Sequence, residues 1–204
     1  LKTGFRATRA PKHYMTWLLV VVAAYAAGMF PSAILVARAV GVDITSVGSG
    51  NPGAANITRN LGWKRGAWVF ALDAAKGALG AGVGLAVDGR SLAYLAGAAA
   101  ILGHCYPVTR GFKGGKGVAT GGGVFAVLTP FVFVVLVPTW VIISKATKTA
   151  ALASLVVLCA IPFGVWISGR ELWEIPSSIG IAVLIALRHV SNIQRMRRGS
   201  ELSL

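Results

Sequence analysis

Three stretches, residues 17–36, 68–87 and 150–167, are almost uninterrupted runs of apolar side chains. A helix needs about 20 such residues to cross the hydrocarbon core of a bilayer, and these approach or reach that length. A soluble core of this size would not leave them so evenly apolar, so membrane-spanning helices are predicted. The chain as a whole is 55% hydrophobic, with six acidic side chains in 204 residues and a mean hydropathy of +0.71. Twenty-six glycines suit close helix contact, and Gly80-x-x-x-Gly84 and Gly117-x-x-x-Gly121 are small-residue pairs of the kind that allow it.

The fold class that follows is all-α, a polytopic integral membrane bundle of about seven transmembrane helices. They are expected over residues 17–39, 63–87, 91–108, 118–129, 131–144, 149–167 and 176–187, two of them shorter than a full crossing. The break between the fourth and fifth rests on Thr129-Pro130, because a residue before proline is biased away from helix. Fusing those two gives six helices instead. Charge favours seven, because that layout gathers Arg59, Lys64, Arg65, the cluster from Arg110 to Lys116, Lys145, Lys148 and the C-terminal arginines on one face. The other face keeps Arg90, Arg170 and the basic residues of the first fourteen. The positive face belongs in the cytoplasm, which puts the N-terminus outside, the C-terminus inside and the polar loops at the cytoplasmic face of a multi-pass cell-membrane protein. Residues 1–14 read as a leader or mis-assigned start without ordered structure, with Met15 as the natural first residue; residues 15–204 read as a single domain.

The formal charge of +14 does not indicate nucleic acid, because the cations lie in short clusters between apolar spans, as at an anionic leaflet. Cys105 and Cys159 are too few for a disulfide framework and stand in apolar surroundings.

Chemistry is concentrated in three polar segments. Residues 46–59 hold Ser49, Gly50, Asn51, Gly53 and Asn56, with Arg59 able to fork onto a phosphate; alone, the segment is equally well a turn-rich connector. Residues 103–120 hold His104, Lys113, Gly114, Gly115, Lys116 and Gly117. A basic juxtamembrane loop explains the lysines but not the glycines between them, which let successive N–H groups point into one concavity. The P-loop pattern is not met, since Arg110 stands at its first glycine and Gly117 follows Lys116. Residues 187–201 place His189 and Asn192 on one face if the helix continues through them. Asp73 and Lys76, i and i+3 inside the second span, are expected to pair in the bundle interior, as a packing device or as support for a site.

These segments share a signature. Ser49-Gly-Asn-Pro-Gly-Ala-Ala-Asn56, Gly103-His-x-x-Pro107 with Phe112-Lys-Gly-Gly-Lys-Gly-Val-Ala-Thr120, and Arg188-His-x-x-Asn-Ile193 closely resemble the bacterial acyl-phosphate:glycerol-3-phosphate acyltransferases of the PlsY type. Leu72-Asp-Ala-Ala-Lys-Gly77 and Leu152-Ala-Ser154 extend the likeness over most of the chain. The departures are Ala55 where the family usually has Thr, Ala151 where it often has Ser, and Lys148-Thr149 where Arg-Tyr is usual.

The resemblance implies transfer of a fatty acyl group from acyl phosphate to the 1-hydroxyl of glycerol 3-phosphate. The products are lysophosphatidic acid and phosphate, an early step of phospholipid synthesis. It implies no cofactor, no metal and no coenzyme A; the bilayer and the enzyme that forms acyl phosphate are the candidate partners. Lys116, Ser154, His189 and Asn192 are the expected catalytic group. Ser49, Gly50, Asn51, Gly53, Asn56, Arg59, His104, Lys113, Gly114, Gly115 and Gly117 are expected to bind substrate, with Asp73, Lys76 and Arg188 in support. Arg59, Lys113 and His189 are expected on glycerol 3-phosphate, and Lys116, Ser49, Ser154 and Asn192 on the acyl phosphate head, whose tail leaves sideways into lipid. Phosphate is a good leaving group, so no acyl-enzyme is required and a donor phosphate oxygen can take the hydroxyl proton. Gly115 is expected to be irreplaceable through its backbone φ. The coenzyme-A-dependent acyltransferases use His-x-x-x-x-Asp; the residues five after His13, His104 and His189 are Leu18, Thr109 and Gln194. A non-catalytic anion or lipid transporter is the remaining alternative.

Overall fold

The computed structural model describes residues 12–204, all α-helical apart from turns and one short 3-10 segment. Most of the expected leader therefore lies outside the described residues, and residues 12–14 form the start of the first helix. Helix α1 (Lys12–Gly28) stops before Phe30-Pro31, and α2 (Ser32–Arg38) resumes after it. The single span expected over residues 17–39 is thus broken, for the reason that operates at Thr129-Pro130. Lys76 supports the break by donating to the Phe30 carbonyl at 3.0 Å. Its partner Asp73, 2.9 Å away, accepts from the Ser32 hydroxyl. The intramembrane pair therefore fastens the interruption to the neighbouring helix, with both charges neutralised inside the bundle.

Helix α3 (Ala54–Leu61) lies where a loop was expected. Its neighbour α4 (Trp63–Cys105) is two antiparallel arms joined at Asp88 and Gly89, where the backbone leaves helical geometry. These arms are the helices expected over residues 63–87 and 91–108. They approach closely because Gly80 and Gly84 face Ala96, Ala100 and Ala93; a Cβ on Gly84 would sit 2.7 Å from Ala93 Cα. Then come α5 (Val118–Leu128) and α6 (Pro130–Thr147), with Pro130 in the first turn of α6, where its missing N–H costs nothing. Helices α7 (Ala150–Ile167), α8 (Glu174–Leu187) and α9 (Val190–Arg197) complete the chain. The axis bends by 59° between α8 and α9, so the last helix does not continue through His189 as the shared-face reading required.

Ile101, Phe125, Leu128, Leu158, Ile161, Val165 and Ile185 form the main core between α4, α5, α7 and α8. The outer surface is apolar as well: Trp63 and Trp68 are each 69% exposed, Ile142 67% and Phe163 60%. An apolar exterior of this kind marks a surface that faces lipid or another protein, not water. Four helical stretches are long and apolar enough to cross a membrane, five if the bent α8–α9 pair is one span. At the end away from the polar loops, Arg90 donates to Glu174 (2.7 Å) and to the Leu128 carbonyl (2.8 Å), and Tyr94 donates to Glu174 (3.1 Å). This buried cluster joins the second arm of α4 to the last turn of α5 and the first turn of α8.

Candidate active site

At the opposite end the connection from α4 to α5 turns sharply. A 3-10 turn over Val108–Arg110 is followed by left-handed Gly111 and Phe112 (φ 56° and 62°), and Gly117 (φ 87°) caps α5. Arg188, at the end of α8, donates to the carbonyls of Gly115 and Gly114, both at 3.2 Å, with its guanidinium 4.8 Å over the Tyr106 ring. The Gly115 N–H donates to the His104 carbonyl at 3.1 Å. With two carbonyls taken up by Arg188, the N–H groups of Gly114, Lys116 and Gly117 are left without partners among the described residues. The glycine run therefore presents donors, as an anion cradle requires.

Gly115 itself is not in the left-handed region. What excludes a side chain there is His104: an added Cβ would overlap the ring, with Cε1 at 2.7 Å. The expected reason, backbone φ, is replaced by close approach. The His104 ring lies behind the loop, its Nδ1 3.6 Å from Asp73, so the Asp73–Lys76 pair underpins the cradle through that ring.

Lys116 is partly buried and donates to the Asn192 Oδ1. The Asn192 amide donates in turn to Glu201 at 2.6 Å, and Arg195 donates to the other Glu201 oxygen at 2.9 Å. Burial first, then the nearby Arg195, pushes the Lys116 ammonium down to about 8. His189 is buried at the bend, and its Nδ1 lies 2.9 Å from the Ile185 carbonyl. A carbonyl only accepts, so that nitrogen carries the proton, and Nε2 of the neutral ring is an acceptor. Ser154 donates to the Ala150 carbonyl (2.8 Å) and accepts from the Trp140 indole (3.0 Å).

The first polar segment folds over this cluster. Gly50 is left-handed, and Gly53 precedes α3 in extended conformation. Asn56 is occupied by the loop itself: it accepts from the Ser49 N–H at 3.1 Å and donates to the carbonyls of Ile44 and Val47. Asn56 therefore shapes the segment that presents Ser49 and Asn51, and it also lines the apolar cavity. Arg59 donates to the carbonyls of Ser203 and Leu202.

Two cavities meet here. One, of about 810 Å³, is lined by Arg110, Lys113, Lys116, Arg188 and Arg195, together with Thr45, Ser191 and Gln194, and by no carboxylate. The other, of about 460 Å³, runs between α4, α5, α6 and α7 along Phe70, Phe125, Val132, Leu136, Val157 and Ile161. Its polar end holds Arg59, Ser154, His189 and Asn192. Ser49, Asn51 and Lys116 line both. The three sequence segments thus converge, but Arg59 and His189 border the apolar cavity, apart from Lys113. Arg110, Trp140 and Glu201 belong to the cluster and were not singled out from the sequence. The signal for Arg110 was its place beside the glycine run; Trp140 and Glu201 become visible only through tertiary contact.

The family model for glycerol-3-phosphate acyltransferase matches residues 18–199. A glycerol-3-phosphate acyltransferase of Shewanella sp. (strain W3-18-1) is 40% identical over 187 residues, covering 90% of this chain and 91% of that protein. One of Bordetella avium (strain 197N) is 38% identical over 192 residues with the same coverage. The fold matches the crystal structure of PlsY, an integral membrane glycerol 3-phosphate acyltransferase, in its glycerol 3-phosphate form. The TM-score is 0.87 at 37% identity, over 93% of this chain and 96% of that one. The lysophosphatidic acid form matches with a TM-score of 0.86 at 36% identity, over 93% and 95%. With its apolar bundle, its glycine–lysine cradle and this likeness over nearly its whole length, the chain belongs to the glycerol-3-phosphate acyltransferase family.

Proposed function

We propose that the protein transfers a fatty acyl group from acyl phosphate to the 1-hydroxyl of glycerol 3-phosphate, releasing lysophosphatidic acid and inorganic phosphate, at the cytoplasmic face of the cell membrane. The observation that supports this most directly is the pair of cavities of opposite character sharing Lys116, Ser49 and Asn51. An apolar slot suits an acyl chain, a cationic cavity without carboxylates suits a small phosphorylated polyol, and the shared residues stand where the two reacting groups meet. The placement of the basic loops and C-terminal arginines on one face supports the cytoplasmic orientation.

In this reading the acyl chain occupies the apolar cavity, and its phosphate head sits against Lys116, the cradle N–H groups, Ser49 and Asn192. The acceptor hydroxyl enters from the polar cavity and its oxygen forms a bond to the carbonyl carbon. The bond from that carbon to the phosphate oxygen breaks, and the departing phosphate takes the hydroxyl proton. Proximity and fixed donors provide the rate, because the donor is already activated. Lys116 stabilises negative charge as it moves from carbonyl oxygen to leaving phosphate. Asn192, held by Glu201, fixes the ammonium. The His189 Nε2, an acceptor, orients the attacking hydroxyl. Ser154 joins the donor's phosphate by exchanging its bond to the Ala150 carbonyl for one to a phosphate oxygen. A transporter reading draws on Asp73 and Lys76, and both are engaged by Ser32, Phe30 and each other.

The test is purified protein with palmitoyl phosphate and glycerol 3-phosphate, without coenzyme A or metal. Lysophosphatidic acid and phosphate should appear in equal amounts. Turnover only from a coenzyme A or carrier-protein thioester, or none from any donor, would overturn the proposal.

A further inference from the structure

Helix α6 is attached to the bundle by little of its surface. Of its 18 residues only Val132 and Ser144 are buried. Among the described residues a single side-chain hydrogen bond ties it to α7: the Trp140 indole N–H donates to the Ser154 Oγ at 3.0 Å. That bond lies on the apolar cavity, which Trp140 lines together with Leu136 and Val137 from α6 and Ser154 from α7. Ser154 stands at the cavity's polar end with Lys116 and Asn192, and it is buried.

The chemistry of the pair fixes the direction of each bond. An indole N–H only donates, so the serine oxygen must accept from it, and the single hydroxyl proton must go elsewhere. In this structure that proton is on the Ala150 carbonyl, 2.8 Å away. A serine inside a helix readily folds its hydroxyl back onto the carbonyl four residues earlier. The indole, arriving from the neighbouring helix, holds the oxygen toward the cavity against that tendency. Donation into the oxygen also polarises the O–H bond and makes it a stronger donor. With Trp140 in place the proton has two destinations, the Ala150 carbonyl and an acceptor inside the cavity.

Building on the proposed acyl transfer, we propose that Trp140 is a positioning residue: its indole N–H holds the Ser154 hydroxyl as a donor to the phosphate of the acyl phosphate. A phosphate oxygen takes the place of the Ala150 carbonyl, and the bond from Trp140 stays as it is. The charge-assisted bond to the anion is stronger than the bond to a neutral carbonyl, so the exchange is downhill. The same α6 wall that borders the acyl-chain slot thereby sets the orientation of a group at the reacting end.

The test is a double-mutant cycle of Trp140→Phe and Ser154→Ala in the full-length protein in detergent, with palmitoyl phosphate varied at saturating glycerol 3-phosphate. Phenylalanine keeps an aromatic ring against the slot and removes the N–H. Trp140→Phe should lower kcat/KM for the donor about fivefold, the scale of one ordinary hydrogen bond. The acceptor KM should stay within about twofold, because the bond acts on the donor's phosphate alone. In the Ser154→Ala background Trp140→Phe should cost less than about twofold, since the group it orients is gone. An equal loss in both backgrounds is the mark of a ring that only fills space and would overturn the assignment, as would no loss in the presence of Ser154. The benzothiophene analogue of tryptophan at position 140 keeps the shape of the indole and lacks its N–H. It should reproduce the Trp140→Phe loss even if phenylalanine disturbs the packing, and full activity there would refute the proposal. If wild-type protein gives no turnover from acyl phosphate, the acyl-transfer reading fails. Equilibrium binding of hexadecylphosphonate then decides the role of Trp140: Trp140→Phe should weaken Kd about threefold with Ser154 present and leave it unchanged in Ser154→Ala, and an equal Kd with Ser154 present refutes it.

Discussion

Replacing Gly115 by alanine probes the cradle with a single methyl group. Alanine is sterically permitted at this backbone conformation, since Gly115 is not left-handed. The methyl would instead collide with the His104 ring, whose Cε1 and Cδ2 lie 2.7 Å and 3.0 Å from the added carbon. That ring is buried beside Asp73, and the loop is tied on its other side by Arg188, so neither partner moves freely. Overpacking of this kind costs about 1–3 kcal/mol. If the loop yields, a displacement of about 1 Å at Lys116 is enough to lower turnover about 100-fold. The discriminating measurement is a double-mutant cycle, with kcat/KM and thermal unfolding followed for Gly115→Ala, His104→Ala and the pair. Removing the ring opens the space the methyl needs. Gly115→Ala should therefore cost less than about 0.5 kcal/mol in the His104→Ala background, a coupling of about 1 kcal/mol or more. An identical cost in both backgrounds would mean that the ring is not the obstacle, and the close-approach account of the glycine would fail.

Three further outcomes follow from the same geometry. Lys116→Ala should lower kcat by about 100- to 1,000-fold, the scale of one lost oxyanion-type donor, measured as phosphate release. The ammonium is pushed down to about 8 by burial, so wild-type kcat/KM, which reports the free enzyme, should fall as pH rises through that value; a profile flat from pH 7 to 9.5 would contradict it. Arg188→Ala removes the anchor of two loop carbonyls and should cost about 10-fold in kcat, with Arg188→Lys failing to restore it because one ammonium cannot replace the fork; an active Lys variant would refute the bidentate role. Lys145→Ala, at the exposed end of α6, should leave both kinetic constants within error.

Much of the architecture could be read from the chain because lipid imposes a strict length and composition on each span. Thr129-Pro130 marked the corner between α5 and α6 correctly. The same logic applied at Phe30-Pro31 locates the break between α1 and α2, but an unbroken apolar run concealed it. Helix α3 escaped because Gly48, Gly50, Pro52 and Gly53 before it read as a connector, and eight residues are too few for periodicity to outweigh that signal. The bend at Arg188 and His189 has neither Gly nor Pro to announce it. Within the site, the glycines and lysines were visible as a pattern, since an anion cradle needs both in one short stretch. The sorting of residues between two cavities was not, because it depends on how α3, α9 and the residues after α9 cross one another. Asn56 is a case in point: its amide looks like a ligand in sequence, and only the structure shows that it also ties its own loop.

Helix α5 begins at the cradle and ends at the Leu128 carbonyl held by Arg90. Its two termini are thus governed by unrelated sets of residues on opposite sides of the bundle. Breaking a buried ion pair such as Arg90–Glu174 by removing one partner costs about 3–5 kcal/mol. A genetic screen for inactive alleles should therefore return a map with two poles, one around Lys116 and a second, chemically silent one around Glu174, with the lipid-facing positions between them largely tolerant.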